Sequence, residues 1–385
     1  MPYLRVLSIC TILAVFAVGF GCAPATEPGE APSEETEAAM DMGSDSGAPT
    51  YRVDASWPKD LPNNWLLGQV AGIAVDSRDH IWIAHRPGSL DDAEYGATAD
   101  PPFAECCEPA PPIIEFDQEG NVVQAWGGPG EGFDWPNNEH GIFVDHMDNV
   151  WTAGNGGDDS QVLKFSRDGT FLLQIGSAGP SEGSNSTTQL GRPADIEVDP
   201  ETNELWVADG YGNRRVIVFD ADTGEYKRHW GAYGNTPNDD DDGGFDPNAD
   251  PREQSSQFRS PVHCVRIADD GLVYVCDRGN NRIQVFQKDG TFVEEVFIAK
   301  MTGAAGSTWD VDLSPDQVYL YNGDGVNMKV WILERQGLGI VGSFGRHGRQ
   351  AGQFHWLHNL ATDSQGNIYT AEVSSGMRVQ KFSMQ

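Results

Sequence analysis

His263-Cys-Val-Arg-Ile-Ala-Asp-Asp-Gly-Leu-Val-Tyr-Val-Cys-Asp277 reads as an apolar strand, an acidic turn and a second apolar strand. Asn281-Arg-Ile-Gln-Val-Phe286, a turn at Asp289-Gly290 and Phe292 to Phe297 follow, which makes a four-stranded antiparallel meander. The first half of this unit recurs five more times. The other copies begin Ala71-Gly-Ile-Ala-Val-Asp76, His140-Gly-Ile-Phe-Val-Asp145, Ala194-Asp-Ile-Glu-Val-Asp199, Trp309-Asp-Val-Asp-Leu-Ser314 and His358-Asn-Leu-Ala-Thr-Asp363. Six units of roughly 45–50 residues predict one all-β, six-bladed propeller of four-stranded antiparallel blades. The last unit ends at Val379-Gln-Lys-Phe382 without an outer strand. Tyr51-Arg-Val-Asp54 is expected to supply it and so remove an exposed edge.

The first residue of each copy is a common slot, five positions before the turn. In the second, fourth and sixth copies that slot holds His140, His263 and His358. In a closed ring these side chains stand about 120° apart and can meet on the axis. Three convergent imidazoles form a zinc-type site with a coordination position left for water or substrate. The chain has nine histidines, so three at one repeat phase are hard to ascribe to chance. The other six fall at turns, strand ends or loops and read as structural or solvated. Arg86, Tyr211 and Arg278 each follow the second strand of their unit and are expected near one end of the axis. An arginine fork suits a carboxylate, and positive charge beside a phenol favours its use as a base. Each has a plainer reading: Arg278 as partner of nearby aspartates, Tyr211 as a blade cap.

A net charge of −33 argues against nucleic acid as a partner. The run Asp239 to Asp242 reads as a solvated loop. Residues 1–22 have the form of a signal peptide: Arg5, an apolar stretch from Val6 to Phe20, then Gly21-Cys22. Cys22 loosely fits a lipobox, so the expected location is the bacterial cell envelope, lipid-anchored through Cys22 and facing the periplasm or exterior. Cleavage without an anchor is the alternative. Residues 23–50 are poor in large apolar side chains and read as a disordered acidic tether before a propeller spanning 51–385. Export permits disulfides. Cys264 and Cys276 lie symmetrically about a hairpin turn and can bridge, whereas Cys106-Cys107 is a vicinal pair of open state. Insertions at 87–112, 178–190 and 235–257 are expected around the propeller mouth.

Two units also match the NHL repeat pattern, in which Asp209 or Asp277 would bond backbone or the following arginine. Gly68-Gln-Val-Ala-Gly-Ile-Ala-Val75, Ala84-His-Arg86, Glu139-His-Gly-Ile-Phe-Val-Asp145, Val207-Ala-Asp-Gly-Tyr-Gly-Asn-Arg214, Cys276-Asp-Arg-Gly-Asn-Asn-Arg-Ile-Gln284 and Leu357-His-Asn-Leu360 resemble the lyase domain of peptidylglycine α-amidating enzymes, over roughly residues 62–383. The resemblance implies a six-bladed propeller that cleaves peptidyl-α-hydroxyglycine to a peptide amide and glyoxylate. It implies zinc at His140, His263 and His358, a base at Tyr211, and Arg86 and Arg278 at the substrate or tyrosine oxygen. It also implies a structural calcium held by the carbonyls of Val70 and Ile142 and the side chain of Asn359. The sequence departs from the family at Asn359 (an acid there), Trp356 (a methionine) and Gly212 (a disulfide cysteine). No copper monooxygenase domain precedes the propeller, so a small-molecule or peptide substrate would be supplied from elsewhere. Two other readings stand beside this one: a non-catalytic NHL propeller that binds a peptide, glycan or envelope protein, and a metal-dependent lactonase, whose sites usually include Glu and Asn ligands.

Overall fold

The computed structural model of the protein describes residues 47–241, 244, 246, 248, 256–303 and 305–385. The expected signal peptide, the lipobox at Cys22, all but the last four residues of the tether, and Asp242 lie outside the described residues. Six four-stranded antiparallel sheets form the propeller. The innermost strands, in chain order, are Gln69–Val75, Glu139–Val144, Asp195–Asp199, Val262–Ile267, Asp310–Leu313 and Leu357–Thr362. Each packs against the next, and the sixth packs against the first, so the ring is closed. Among the described residues the only helical turns are short 3-10 segments.

Four of the six inner turns carry an aspartate (Asp76, Asp145, Asp199 and Asp363), with Ala268 and Ser314 in the other two, and three of these blades share one local device. The turn aspartate between the two inner strands takes backbone N–H groups of its own turn: Asp76 Oδ1 accepts from Arg78 and His80, Asp145 Oδ1 from Met147 and Asn149, and Asp363 Oδ1 from Gln365 and Asn367. The other carboxylate oxygen holds the aromatic side chain that opens the second strand. Trp82 Nε1 donates to Asp76 at 3.0 Å, Trp151 Nε1 to Asp145 at 2.9 Å, and Tyr369 Oη to Asp363 at 3.1 Å. The equivalent residues in the remaining blades are Trp206, Tyr274 and Tyr321, and all six rings are buried. A buried indole or phenol needs a partner for its polar atom. In these three blades the acidic turn supplies it and thereby ties the turn to the space between blades; elsewhere Tyr274 Oη is met by Arg335 and Tyr321 Oη by Tyr51, and Trp206 Nε1 has no partner among the described residues.

Farther out, Asp209 and Asp277 are structural, as expected. Asp277 Oδ2 accepts from Arg282 Nε at 2.7 Å, and Asp209 Oδ2 from Arg215 Nε at 2.8 Å. In the third blade the partner is thus Arg215; Arg214 turns away to the carbonyl of Phe258. Both pairs are fully buried, so removing one member would cost about 3–5 kcal/mol. Cys264 and Cys276 are cross-strand neighbours joined in a disulfide, and Cys106 and Cys107 are also paired. The insertion at 87–112 carries the two-residue strand Glu108–Pro109, which pairs with Trp65–Leu66. The loops at 178–190 and 235–241 bind one another through Ser184 and Asp239.

The sixth sheet is completed from the other end of the chain. Tyr51–Asp54 pairs antiparallel with Arg378–Met384, with Tyr51 opposite Met384 and Asp54 opposite Lys381. Tyr51 Oη donates to Tyr321 Oη at 2.7 Å, which couples this strand to the fifth blade as well. Deleting residues 1–54 should therefore lower the melting temperature by roughly 5 °C or more relative to a protein lacking only 1–46. Calorimetry of the two truncations checks this, and equal melting temperatures would count against the closure.

Candidate metal centre

The three slot histidines sit at irregularities of the inner strands. The register between first and second strands shifts between Glu139 and Ile142, between Val262 and Cys264, and between Leu357 and Asn359. A bulged residue leaves the pleat and its side chain is re-aimed. Here the three side chains turn to one another: ring centroids are 5.1 Å apart for His140 and His263, 4.7 Å for His140 and His358, and 4.8 Å for His263 and His358. One nitrogen from each lies within 4.8 Å of the others. All three residues are buried.

Their orientation is fixed from the neighbouring blade. His140 Nδ1 donates to the carbonyl of Ala194 at 2.6 Å, and His263 Nδ1 donates to the carbonyl of Trp309. His358 bonds Asn359 Oδ1 through Nδ1 and also has a backbone hydrogen bond with Ala71. Ala194, Trp309 and Ala71 are the slot residues of the third, fifth and first blades. Each histidine is thus held by the slot of the blade that follows it. Gly141 permits the close approach in the first case, since a Cβ there would lie 2.8 Å from the Ala194 oxygen. With Nδ1 protonated and donating, Nε2 keeps its lone pair. Burial is also the largest cause that lowers the basicity of all three. His140 and His263 lie well below the ordinary histidine range, and His358 is pushed down to about 3, with Arg86 and Arg278 adding to the effect. The imidazoles are therefore neutral. Three neutral, pre-oriented nitrogen donors at this spacing fit zinc.

Tyr211 Oη faces the same point. It lies 3.1 Å from Nε2 of both His140 and His263 and accepts a hydrogen bond from Arg278 Nη1 at 3.1 Å. Gly210, just before it, passes so close to the fourth blade that a Cβ would lie 2.0 Å from the Val262 oxygen. The guanidinium of Arg278 stacks 4.3 Å from the Trp309 ring, and its Nε is buried with no partner among the described residues. Arg86 stands one step back. Its three nitrogens donate to the Glu139 carbonyl (2.7 Å), Gln69 Oε1 (2.9 Å) and Asn155 Oδ1 (3.3 Å).

The residues named for calcium are all buried. Asn359 Nδ2 donates to Asp310 Oδ2 at 3.1 Å while its Oδ1 faces His358. A neutral amide engaged at both ends is a weak calcium ligand. Toward the other end of the inner strands lies a cavity of about 350 Å³. Glu197, Arg266 and Asp312 line it, and burial pushes Glu197 up to about 8 despite the adjacent guanidinium.

Sequence reasoning missed Trp309, which carries both the carbonyl that orients His263 and the ring under Arg278. Its place in the fifth slot was the available signal. It also missed Asn155 and Arg192, which stand at the same mouth. His85, grouped with strand-end histidines, is buried within Ile81–Arg86 and bonds the Pro111 carbonyl and the Gly68 N–H.

The chain carries an NHL repeat, matched at residues 262–286. Its propeller resembles the amidating lyases. It is 27% identical over 344 residues to peptidyl-glycine alpha-amidating monooxygenase B of Xenopus laevis, an alignment that covers 86% of this chain and 35% of that protein. It is 28% identical over 225 residues to the Caenorhabditis elegans protein named "Probable peptidyl-alpha-hydroxyglycine alpha-amidating lyase", which covers 57% of this chain and 56% of that one. The chain thus spans about a third of the length of the frog relative. The same fold occurs in a structural-genomics protein of unknown function from Bacteroides thetaiotaomicron, with a TM-score of 0.54, 13% identity, and coverage of 88% of this chain and 77% of that one.

If the three imidazoles hold a metal, the purified protein should carry about one zinc per chain, and His263→Ala should weaken zinc binding by about 100-fold or more. Elemental analysis and competition with a chromogenic chelator measure both. Zinc retained equally by wild type and His263→Ala would refute the site.

Proposed function

We propose that this protein is a zinc-dependent lyase that cleaves a peptidyl-α-hydroxyglycine-like carbinolamide to an amide and glyoxylate. One observation carries the reading: Tyr211 Oη lies within hydrogen-bonding distance of Nε2 of His140 and His263 and of Nη1 of Arg278, and the His358 ring stands 4.7 Å and 4.8 Å from the rings of His140 and His263. The similarity to proteins named for α-amidation supports it.

His140, His263 and His358 would hold the metal. When bound, zinc supplies a Lewis acid for the substrate hydroxyl. Tyr211 Oη, next to the histidine nitrogens and bonded to Arg278, is placed to take the hydroxyl proton as a phenolate. The hydroxyl oxygen then forms the aldehyde C=O as the C–N bond breaks, and the proton passes from Tyr211 to the departing amide nitrogen. Atoms and charge balance without an oxidant or a second substrate. Arg278 steadies the phenolate through its Nη1 contact, and Trp309 keeps the guanidinium in place by stacking. Arg86 contributes positive charge from behind His140 and His358.

This reading treats the chain as an exported envelope protein anchored through Cys22. Calcium at Val70, Ile142 and Asn359 is at most a weak structural addition. A binding propeller without activity leaves three inward-facing neutral histidines with no role.

Zinc-loaded protein should release glyoxylate from an N-acyl-α-hydroxyglycine. Tyr211→Phe should lower kcat by about 10²–10⁴-fold with zinc content unchanged. Glyoxylate trapping as a hydrazone follows the reaction. Turnover in Tyr211→Phe equal to that of wild type would remove the proposed base.

A further inference from the structure

We infer that Arg192 docks the substrate carboxylate; the identity of that substrate rests on the lyase reading above, but the anion site does not. Arg192 lies on the loop that leads into the third inner strand. It holds a left-handed backbone with φ of 59°, uncommon for a residue with a side chain. Two hydrogen bonds secure this conformation. Arg192 N–H donates to the Asp159 carbonyl at 2.9 Å, and the Arg192 carbonyl accepts from Tyr211 N–H at 3.2 Å. The backbone that presents Tyr211 is therefore the backbone that presents Arg192.

The side chain reaches over the site. Its guanidinium carbon is 5.7 Å from the Tyr211 ring centroid, and that of Arg278 is 5.5 Å from the same ring. The arginines differ in what remains free. Every nitrogen of Arg86 is committed to a protein oxygen. Arg278 spends Nη1 on Tyr211 and buries Nε. Arg192 commits only Nε, to the Asn155 carbonyl at 2.8 Å. Its two terminal nitrogens make no hydrogen bond or ion pair among the described residues, which leaves the planar edge that binds a carboxylate in two-point fashion. The chain has 58 acidic side chains against 25 basic ones. A half-buried arginine beside the candidate centre that pairs with none of the described acids is available to an anion from outside. Asn155 ties the arrangement together, since its carbonyl holds Arg192 and its side-chain oxygen holds Arg86.

Two measurements test this on the zinc-loaded full chain. The first compares turnover of an N-acyl-α-hydroxyglycine with turnover of its neutral carboxamide analogue. Arg192→Gln should raise KM for the acid roughly tenfold or more, the loss of one charge-assisted two-point contact, and leave KM for the carboxamide within about twofold. Arg192→Lys should fall between. The second titrates N-acetylglycine and N-acetylglycinamide, which lack the reactive hydroxyl, by calorimetry. Wild type should prefer the acid and Arg192→Gln should not. An equal penalty on acid and carboxamide would make Arg192 a purely structural residue and overturn the inference, as would unchanged binding of N-acetylglycine. A wild type that releases no glyoxylate but shows an Arg192-dependent preference for N-acetylglycine would sink the lyase reading and leave the anion site standing.

Discussion

The site depends on hydrogen bonds that cross blade boundaries. His140 reaches the carbonyl of Ala194, His263 that of Trp309, and His358 the backbone of Ala71. A carbonyl can only accept, so it fixes which imidazole nitrogen carries the proton. The other nitrogen is left with its lone pair at the axis. The third of these bonds spans the seam between the last blade and the first. Centre and ring closure are therefore one problem: Tyr51–Asp54 seals the sixth sheet far from the axis, and the sealed ring holds Ala71 against His358.

The two ends of the inner strands differ electrically. At one end, burial and two arginines keep the histidines neutral. At the other, Asp195, Glu197, Asp310 and Asp312 gather around Arg266, and burial holds Asp310 well above the ordinary carboxylate range. Asn359 stands between the two, in contact with His358 on one side and Asp310 on the other. An acid at this position would place a further negative charge beside Asp310; the amide bridges without adding one.

Much of this was legible in the sequence because it repeats. The turn residue (an aspartate in four of the six copies), the aromatic six or seven positions later and the slot residue recur at near-fixed phase, so the blade count, the inward histidines and the N-terminal closing strand could be read from spacing alone. What escaped was carried by backbone. The carbonyls that orient the histidines have no side-chain signature, and the bulges that turn His140, His263 and His358 inward are register shifts. Arg215 rather than Arg214 meets Asp209 because the third strand begins at Arg215, a one-residue shift that changes which face each side chain takes. Arg192 was overlooked because a left-handed residue in a loop outside the repeat phase has no periodicity to reveal it.

X-ray absorption at the zinc edge of the loaded protein tests the central claim most directly. The account predicts three imidazole nitrogens at about 2.0–2.1 Å with imidazole outer-shell scattering, completed by a light oxygen donor. Sulfur in the first shell, or a spectrum with fewer than three imidazoles, would contradict it.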